Sequence, residues 1–222
     1  MNGKSATAYT DYKRYVDFKK LEFIAGAIGG LAPNGAWGLD AGCGRGSVTV
    51  PLAFLGYRMV GIDIFSSVVE RARQNGTKVR DEAHPSPVFL LGDAESLPFC
   101  PGSFDFAICS EILEHLHSPE RALGEVFAAL KRGGWLIVTV PNGYGLHDLL
   151  FHHLRDLVAR MLPRLPSSES VGGHVQAFTV GKIRRLVEEA GFRVVKTANA
   201  DFLSWLPLLA RSHWIGRVDC RL

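Results

Sequence analysis

The feature that most constrains the fold of this chain is a glycine-rich turn that directly follows a short apolar run. Residues 37–47 are W-G-L-D-A-G-C-G-R-G-S, so glycines alternate with other residues soon after Asp40. Apolar residues then return at Val48, Leu52 and Leu55, which is the spacing of a helix. Because glycine permits the backbone conformations of tight turns, the pattern predicts a strand, a turn and a helix in series.

The spacing of the glycines distinguishes two kinds of nucleotide-binding turn. Turns that bind dinucleotides have the pattern G-x-G-x-x-G, whereas this turn has G-x-G-x-G with an acid two residues before its first glycine. The carboxylate of Asp40 would repel a pyrophosphate but would suit a cationic ligand. We therefore disfavour a nicotinamide-dependent oxidoreductase and keep two hypotheses for this turn, a site for a cationic ligand and a purely structural turn.

Two more acids lie at the ends of the next predicted strands. The apolar segment 58–64 predicts a strand that contains Asp63, 23 residues after Asp40, and a carboxylate at that point can accept hydrogen bonds from ribose hydroxyls. The segment 88–91 predicts another strand, and Asp93 follows it. Because the carboxyl ends of parallel strands meet at one edge of a sheet, we expect the three acids to line one pocket.

Three segments resemble motifs of the class I S-adenosylmethionine-dependent methyltransferases. Residues 39–46 resemble motif I of that family, and residues 92–99, G-D-A-E-S-L-P-F, resemble a segment of its ubiquinone- and menaquinone-biosynthesis-type members. Residues 130–142, L-K-R-G-G-W-L-I-V-T-V-P-N, also fit the family. The resemblance covers about residues 36–197 and implies an enzyme that takes S-adenosylmethionine as its methyl donor.

The resemblance also implies which residues bind the cofactor. In the family segment that matches residues 92–99, the aspartate meets the adenine amino group and the next backbone N–H meets a ring nitrogen, which maps to Asp93 and Ala94. The complete predicted set of cofactor-binding residues is Asp40, Gly42, Gly44, Asp63, Ile64, Asp93, Ala94 and Ser110.

The order of the predicted elements indicates an α/β fold with a doubly wound, mostly parallel sheet and helices on both faces. The resemblance implies the Rossmann-like methyltransferase sheet, with strand order 3-2-1-4-5-7-6. The final segment, 201–222, is apolar and aromatic but has no clean strand pattern, so the sequence does not place the seventh strand. We expect residues 1–222 to form one methyltransferase domain, since no repeat or linker interrupts them.

The N-terminal segment 8–30 predicts an amphipathic helix from about residue 11 to residue 28. In related methyltransferases such a helix often covers the cofactor. We therefore expect Tyr12, Tyr15 or Lys19 to reach a carboxylate in the pocket, with packing of the helix on the sheet edge as the alternative.

Segment 144–173 has an apolar stripe with helical spacing and a basic opposite side, and it falls outside the core elements of the fold. Class I methyltransferases commonly place a substrate-covering insertion after the fifth strand, so we predict a substrate lid here. Two alternatives remain open, a helix that packs on the core and a basic amphipathic helix that makes peripheral contact with a membrane.

Two histidines are the candidate catalytic residues. Methyl transfer requires alignment of the reactants in a water-poor site, and an alcohol or phenol acceptor also requires a base. His115 lies four residues after Glu111, so the spacing predicts that they share a helix face, and His174 precedes a predicted helix cap near the pocket. Each histidine can instead serve to hold a loop or a helix end.

A metal site is a further alternative. Glu111, Glu114 and His115 form E-x-x-E-H, which resembles the metal site of small-RNA 2′-O-methyltransferases and a motif in polyprenyl-dihydroxybenzoate O-methyltransferases. With His174, these donors would suit Mg²⁺, Mn²⁺ or Zn²⁺. Metal-free relatives have the same motif, so we predict no bound metal and keep metal-assisted O-methylation as an alternative.

Composition narrows the partners and the location. The net charge of +3 is too small to indicate a nucleic-acid partner. The first ten residues are polar, the four cysteines form no C-x-x-C pair, and no long uncharged apolar run is present, so we expect a cytoplasmic protein. The expected acceptor is a small or lipid-like molecule, and a methyltransferase-like protein that binds without catalysis is the remaining alternative.

Overall fold

The computed structural model describes residues 15–78, 84–141, 178–199 and 213–220. Its strands, in chain order, are β1 Trp37–Ala41, β2 Arg58–Asp63, β3 Val88–Leu91, β4 Phe104–Ser110, β5 Leu130–Pro141, β6 Phe192–Asn199 and β7 His213–Cys220. Its α-helices are α1 Tyr15–Gly29, α2 Thr49–Phe54, α3 Ser66–Lys78, α4 Pro119–Ala129 and α5 Val180–Glu189. One turn of 3₁₀-helix, Leu113–His115, follows β4.

The strands form a seven-stranded sheet in the order β3-β2-β1-β4-β5-β7-β6, which confirms the predicted order. The first five strands pair in parallel, and β7 runs antiparallel between β5 and β6. The sequence did not place β7, because its residues include Gly216, Arg217 and Asp219 among the apolar ones. Pairing with both neighbours, rather than a local apolar pattern, defines this strand.

The core lies on both faces of the sheet, as the predicted doubly wound fold requires. Along β4, Phe106 and Ile108 pack with α1 residues in one apolar cluster, whereas Ala107 and Cys109 pack in the cluster that contains α4 and α5 residues. Successive residues of a strand point to opposite faces, so this central strand supplies both clusters. The carboxyl ends of the parallel strands are left to form a site.

Two sequence predictions concern segments that the structure covers only in part or not at all. The N-terminal helix begins at Tyr15 among the described residues, so the first part of the predicted range lies outside them. The predicted lid, residues 144–173, lies entirely outside the described residues. Within the described ranges, none of the helices has both the length and the apolar character needed to cross a membrane.

Candidate active site

A cavity of about 900 Å³ lies at the carboxyl ends of the parallel strands. The turn after β1, the end of β2, the loop after β3 and the residues after β4 all contribute to its wall. The cavity brings together all eight residues that the sequence predicts for cofactor binding, namely Asp40, Gly42, Gly44, Asp63, Ile64, Asp93, Ala94 and Ser110.

The glycine turn is fixed to the neighbouring strand and leaves no room for a side chain at its first glycine. The N–H groups of Gly42 and Cys43 donate to the carbonyl oxygen of Ile62, at 2.8 and 2.9 Å. Gly42 has a φ of 73°, which L-residues rarely adopt, and a Cβ there would collide with the side chain of Ile112. Ile112, two residues after the end of β4, therefore packs directly on the turn after β1.

Asp40 is a carboxylate held almost completely out of water, with 1% of its surface exposed. Its Oδ2 accepts a hydrogen bond of 2.6 Å from Thr49 Oγ1, while its Oδ1 has no hydrogen-bond partner in the part of the chain that the structure describes. The pKa of Asp40 is raised from 3.8 to about 7, chiefly by burial and also by the negative charge of Asp63, against the opposing effects of Thr49 and Lys20. A cation entering the cavity would stabilise the ionised form of this group.

Asp63 organises the backbone around the cavity. Its Oδ2 accepts from the N–H of Gly44 at 2.9 Å, and its Oδ1 accepts from the N–H of Phe65 at 3.1 Å. A carboxylate has about four lone-pair sites, so these bonds leave capacity for a ligand's hydroxyl groups. Sequence reasoning assigned Asp63 to ribose alone and missed its structural role in holding the glycine turn.

Two exposed apolar side chains line the cavity beside the end of β2. Ile64 and Phe65 are 59% and 66% exposed, and both line the cavity. On the adjacent loop, Ala94 is buried, and Asp93 Oδ1 accepts a hydrogen bond of 2.8 Å from the N–H of Glu95. Phe65 was absent from the sequence prediction, although its position two residues after the end of β2 is a signal that could have identified it.

Lys20 is the residue that sequence reasoning missed most clearly. Its side chain is 9% exposed, lines the cavity, and places Nζ 3.1 Å from Glu111 Oε2. The predicted residue, Lys19, instead lies at the surface with its Nζ 2.6 Å from Glu22 Oε2. Tyr12 and the side chain of Tyr15 lie outside the described residues.

The helical phase could have distinguished the two lysines. Lys20 lies four and eight residues before Ile24 and Ile28, which are both buried. Residues four apart share a helix face, so Lys20 lies on the inner face of α1 and Lys19 does not.

Glu111, Glu114 and His115 do not share a helix face, so that prediction was wrong. Glu111 has a φ of 54°, and its N–H donates to the carbonyl oxygen of Thr139 at 2.8 Å, which fixes it beside the strand ends. A residue with positive φ cannot belong to a right-handed helix. Only Leu113–His115 then form a helical turn, in which Glu114 is buried.

The side chains of Glu111, Glu114 and His115 therefore lie in different environments. Glu111 is paired with Lys20, Glu114 is 2% exposed, and the His115 side chain is 41% exposed with its Nε2 4.0 Å from Glu114 Oε1. The described part of the chain contains no group of three or more histidine, cysteine or acidic side chains arranged to hold a metal ion. His174 lies outside the described residues, so its predicted catalytic role remains a prediction.

His115, Leu116 and His117, which we name the histidine wall, also line the cavity and are not among the predicted cofactor residues. The cavity thus has two halves of different character. One half, the cofactor half, has the acids, the glycines, exposed apolar side chains and the Lys20–Glu111 ion pair, and the other half has the imidazoles.

Comparisons with known proteins agree with this geometry. A family model described as a methyltransferase domain matches residues 11–197. An uncharacterized 37.1 kDa protein in transposon Tn4556 from Streptomyces fradiae is 34% identical over an alignment of 215 residues, which covers 84% of this chain and 59% of that protein. A ubiquinone biosynthesis O-methyltransferase from Burkholderia pseudomallei is 28% identical over 164 residues, covering 71% of this chain and 65% of that enzyme.

The chain therefore spans about three fifths of the length of the curated relatives it matches. Among solved structures, a magnesium protoporphyrin IX methyltransferase from Synechocystis PCC 6803 with bound S-adenosylhomocysteine has a TM-score of 0.72 at 20% identity, covering 96% of this chain and 91% of that one. A methyltransferase structure from Methanosarcina mazei also has a TM-score of 0.72, at 22% identity, covering 88% and 97%. These structures share the fold.

The raised pKa of Asp40 predicts a specific dependence of stability on pH. Between pH 4 and 7 the folded protein holds a proton on Asp40 that the unfolded chain has released, so this stabilising contribution is complete at low pH and is lost as the pH rises through about 7. Asp40→Asn removes the titration. We expect the free energy of unfolding of the wild type, relative to that variant, to fall by about 2–3 kcal/mol between pH 5 and 8.

Urea denaturation of both proteins across this range measures the difference. A difference that stays constant with pH would contradict the assignment of a raised pKa to Asp40.

Proposed function

The chain belongs to the class I S-adenosylmethionine-dependent methyltransferases, and from this premise we propose that it transfers the methyl group of S-adenosylmethionine to a hydroxyl group of a small, weakly polar acceptor. The observation that carries the proposal is the buried carboxylate of Asp40, a residue that lines the cavity and whose Oδ1 has no hydrogen-bond partner among the described residues. A buried carboxylate in this state is costly until a donor or a cation reaches it. S-adenosylmethionine has both an ammonium and a sulfonium group.

The cofactor half of the cavity suits the remaining parts of S-adenosylmethionine. Gly42 and Gly44 allow the backbone of the turn to approach the ligand closely. Asp63 has the lone pairs to accept the ribose hydroxyls, and Asp93 with the N–H of Ala94 is assigned to the adenine edge. Ile64 and Phe65 offer apolar surface to the adenine faces, and Ser110, which also lines the cavity, is assigned to the sulfur-bearing chain.

We assign Lys20 to the carboxylate end of the cofactor. An ammonium group has three N–H donors, and Lys20 Nζ lies 3.1 Å from a single carboxylate oxygen, Glu111 Oε2. Lys20 Nζ and the Asp40 carboxylate therefore supply one positive and one negative group in the same cavity. This arrangement complements the zwitterionic amino-acid end of S-adenosylmethionine.

When bound, S-adenosylmethionine supplies a methyl group on a positively charged sulfur, whose bond to carbon breaks with the electron pair remaining on sulfur. The residues of this chain hold the two reactants in line and exclude water. A hydroxyl acceptor must also lose its proton, and a neutral imidazole in the cavity can accept it. His115, on the histidine wall, and His174 are the residues we assign to this step.

The nature of the acceptor is inferred from the other half of the cavity. Ile112 and Leu116 offer apolar surface beside the imidazoles of His115 and His117, which suits a mostly apolar molecule with a hydroxyl group. The relatives named as ubiquinone biosynthesis O-methyltransferases support oxygen as the methylated atom. We propose that residues 144–173 cover this acceptor. Among the described residues, no feature favours non-catalytic binding or metal-assisted transfer over this reaction.

The role of Asp63 predicts a loss of cofactor affinity when its carboxylate is removed. Asp63→Ala should weaken S-adenosylmethionine binding by about 1–3 kcal/mol, because the ribose hydroxyls lose their acceptor. Titration calorimetry measures the change. Asp105→Ala is the matched control, since Asp105 also accepts a backbone N–H, that of Trp37 at 2.8 Å, but does not line the cavity.

Wild-type protein that binds neither S-adenosylmethionine nor S-adenosylhomocysteine at millimolar concentration would overturn the proposed function. Equal affinities of Asp63→Ala and Asp105→Ala would remove Asp63 from the site.

The assignment of Lys20 predicts a difference between two ligands that share the nucleoside. S-adenosylhomocysteine has the amino-acid end, and 5′-methylthioadenosine lacks it. Lys20→Met should weaken S-adenosylhomocysteine binding by about 10- to 100-fold, because a charge-assisted hydrogen bond is lost, and should leave 5′-methylthioadenosine binding unchanged.

Lys19→Met, one residue away on the exposed face of α1, should change neither affinity. Competition calorimetry gives both constants. Equal weakening of the two ligands by Lys20→Met would show that Lys20 acts on the cavity as a whole rather than on the carboxylate.

A further inference from the structure

The histidine wall has no residue among those assigned to the cofactor, yet its position determines where an acceptor can bind. It is short and lies between the 3₁₀ turn Leu113–His115 and the start of α4 at Pro119. All three residues line the cavity, and His115 and His117 are exposed. Hydrogen bonds to the backbone fix the end of this segment.

A single carboxylate oxygen holds the end of the histidine wall. Oε1 of Glu95 accepts hydrogen bonds from the N–H groups of His117 and Ser118, both at 3.0 Å. Hydrogen bonds to an ionised acceptor are stronger than those between neutral groups. Glu95 lies 22 and 23 residues before these donors, in the loop after β3, so the contact joins two separate parts of the cavity wall.

Glu95 is itself fixed by the residue assigned to adenine. The N–H of Glu95 donates to Asp93 Oδ1 at 2.8 Å, and the N–H of Ser96 donates to the Asp93 carbonyl oxygen at 3.1 Å. An unbroken series of hydrogen bonds thus runs from Asp93 through Glu95 to His117. A ligand that orders the turn at Asp93 should therefore also order Glu95, which holds the end of the histidine wall.

The same carboxylate compensates for a missing helix cap. Ser118 is the N-cap residue of α4, and its side chain makes no capping hydrogen bond. The negative charge of Glu95 at this end of α4 is favourable, because the N-terminus of a helix has partial positive charge. Glu95 can therefore stabilise the start of α4 and can also connect the two parts of the cavity wall. The experiment below distinguishes these two effects.

From these contacts we infer that Glu95 is a positioning residue that couples occupation of the nucleoside site to the geometry of the histidine wall, and so to acceptor binding. This inference rests on the proposed function, since it takes the loop after β3 as the site of the nucleoside. Glu125 provides the comparison. Its Oε2 accepts from the N–H of Leu97 at 3.0 Å, so it joins the same loop to the same helix away from the histidines.

The experiment uses the full chain and S-adenosylhomocysteine as the probe, with backbone amide exchange at His117 and Ser118 followed by NMR. In the wild type, S-adenosylhomocysteine should slow exchange of these two amides by about tenfold or more. In Glu95→Ala the ligand should still bind, but this slowing should be lost. Glu125→Ala should retain it, and Glu95→Gln, which keeps an acceptor oxygen without its charge, should restore part of it.

A second signal distinguishes coupling from helix capping alone. The imidazole resonances of His115 and His117, assigned with single substitutions, should move on ligand binding in the wild type and in Glu125→Ala. In Glu95→Ala the movement should be reduced at least by half. Equal responses of Glu95→Ala and the wild type, with ligand bound to both, would overturn the inference.

The outcomes separate this inference from the proposed function. Calorimetry that detects no S-adenosylhomocysteine binding to the wild type would overturn the proposed function, and the inference with it. Binding without any dependence on Glu95 would overturn the inference alone. If Glu95→Ala does not fold, Glu95→Gln decides, since an amide exchange response identical to that of the wild type would contradict a role for the carboxylate charge.

Discussion

The buried carboxylate of Asp40 is the constraint on which the rest of the cavity depends. It lies in β1, between the parallel neighbours β2 and β4, and its exposed fraction is 1%. Removing an ionised carboxylate from water is costly unless partners compensate. Here Thr49 supplies one hydrogen bond and Lys20 supplies opposing charge. In the free protein, protonation of Asp40 removes the remaining desolvation cost. In the bound protein, we propose that a cation offsets this cost.

The two halves of the cavity are positioned by different means. The cofactor half is built on strand ends and on a glycine turn whose N–H groups bond to β2, so its geometry follows from the sheet. The half that we propose for the acceptor is built on one turn of 3₁₀-helix and the loop before α4, which depend on side-chain contacts such as that of Glu95. This division is consistent with a fixed methyl-donor site beside an acceptor site that is easier to vary.

The sequence predicted most of the sheet and the cofactor half, because both depend on local patterns. An apolar run with Asp40, Asp63 or Asp93 at or just beyond its end predicts a strand. The acid also marks where the strand ends and which residue lies at the pocket. The features it missed depend on long-range contacts. Lys20 is recognisable only once the inner face of α1 is known, and β7 is defined by pairing on both sides. The positive φ of Glu111, which separates it from His115, has no signal in the sequence.

The measurement that tests the central claim most directly is the number of protons exchanged when S-adenosylmethionine binds. Calorimetry near pH 6.5, in buffers of different ionisation enthalpy, gives this number for the wild type and for Asp40→Asn. Because the pKa of Asp40 lies at about 7 in the free protein, a bound cation should release a large fraction of one proton, and Asp40→Asn should release none from this site. Binding with no proton release by the wild type, or equal release by the two proteins, would contradict the account.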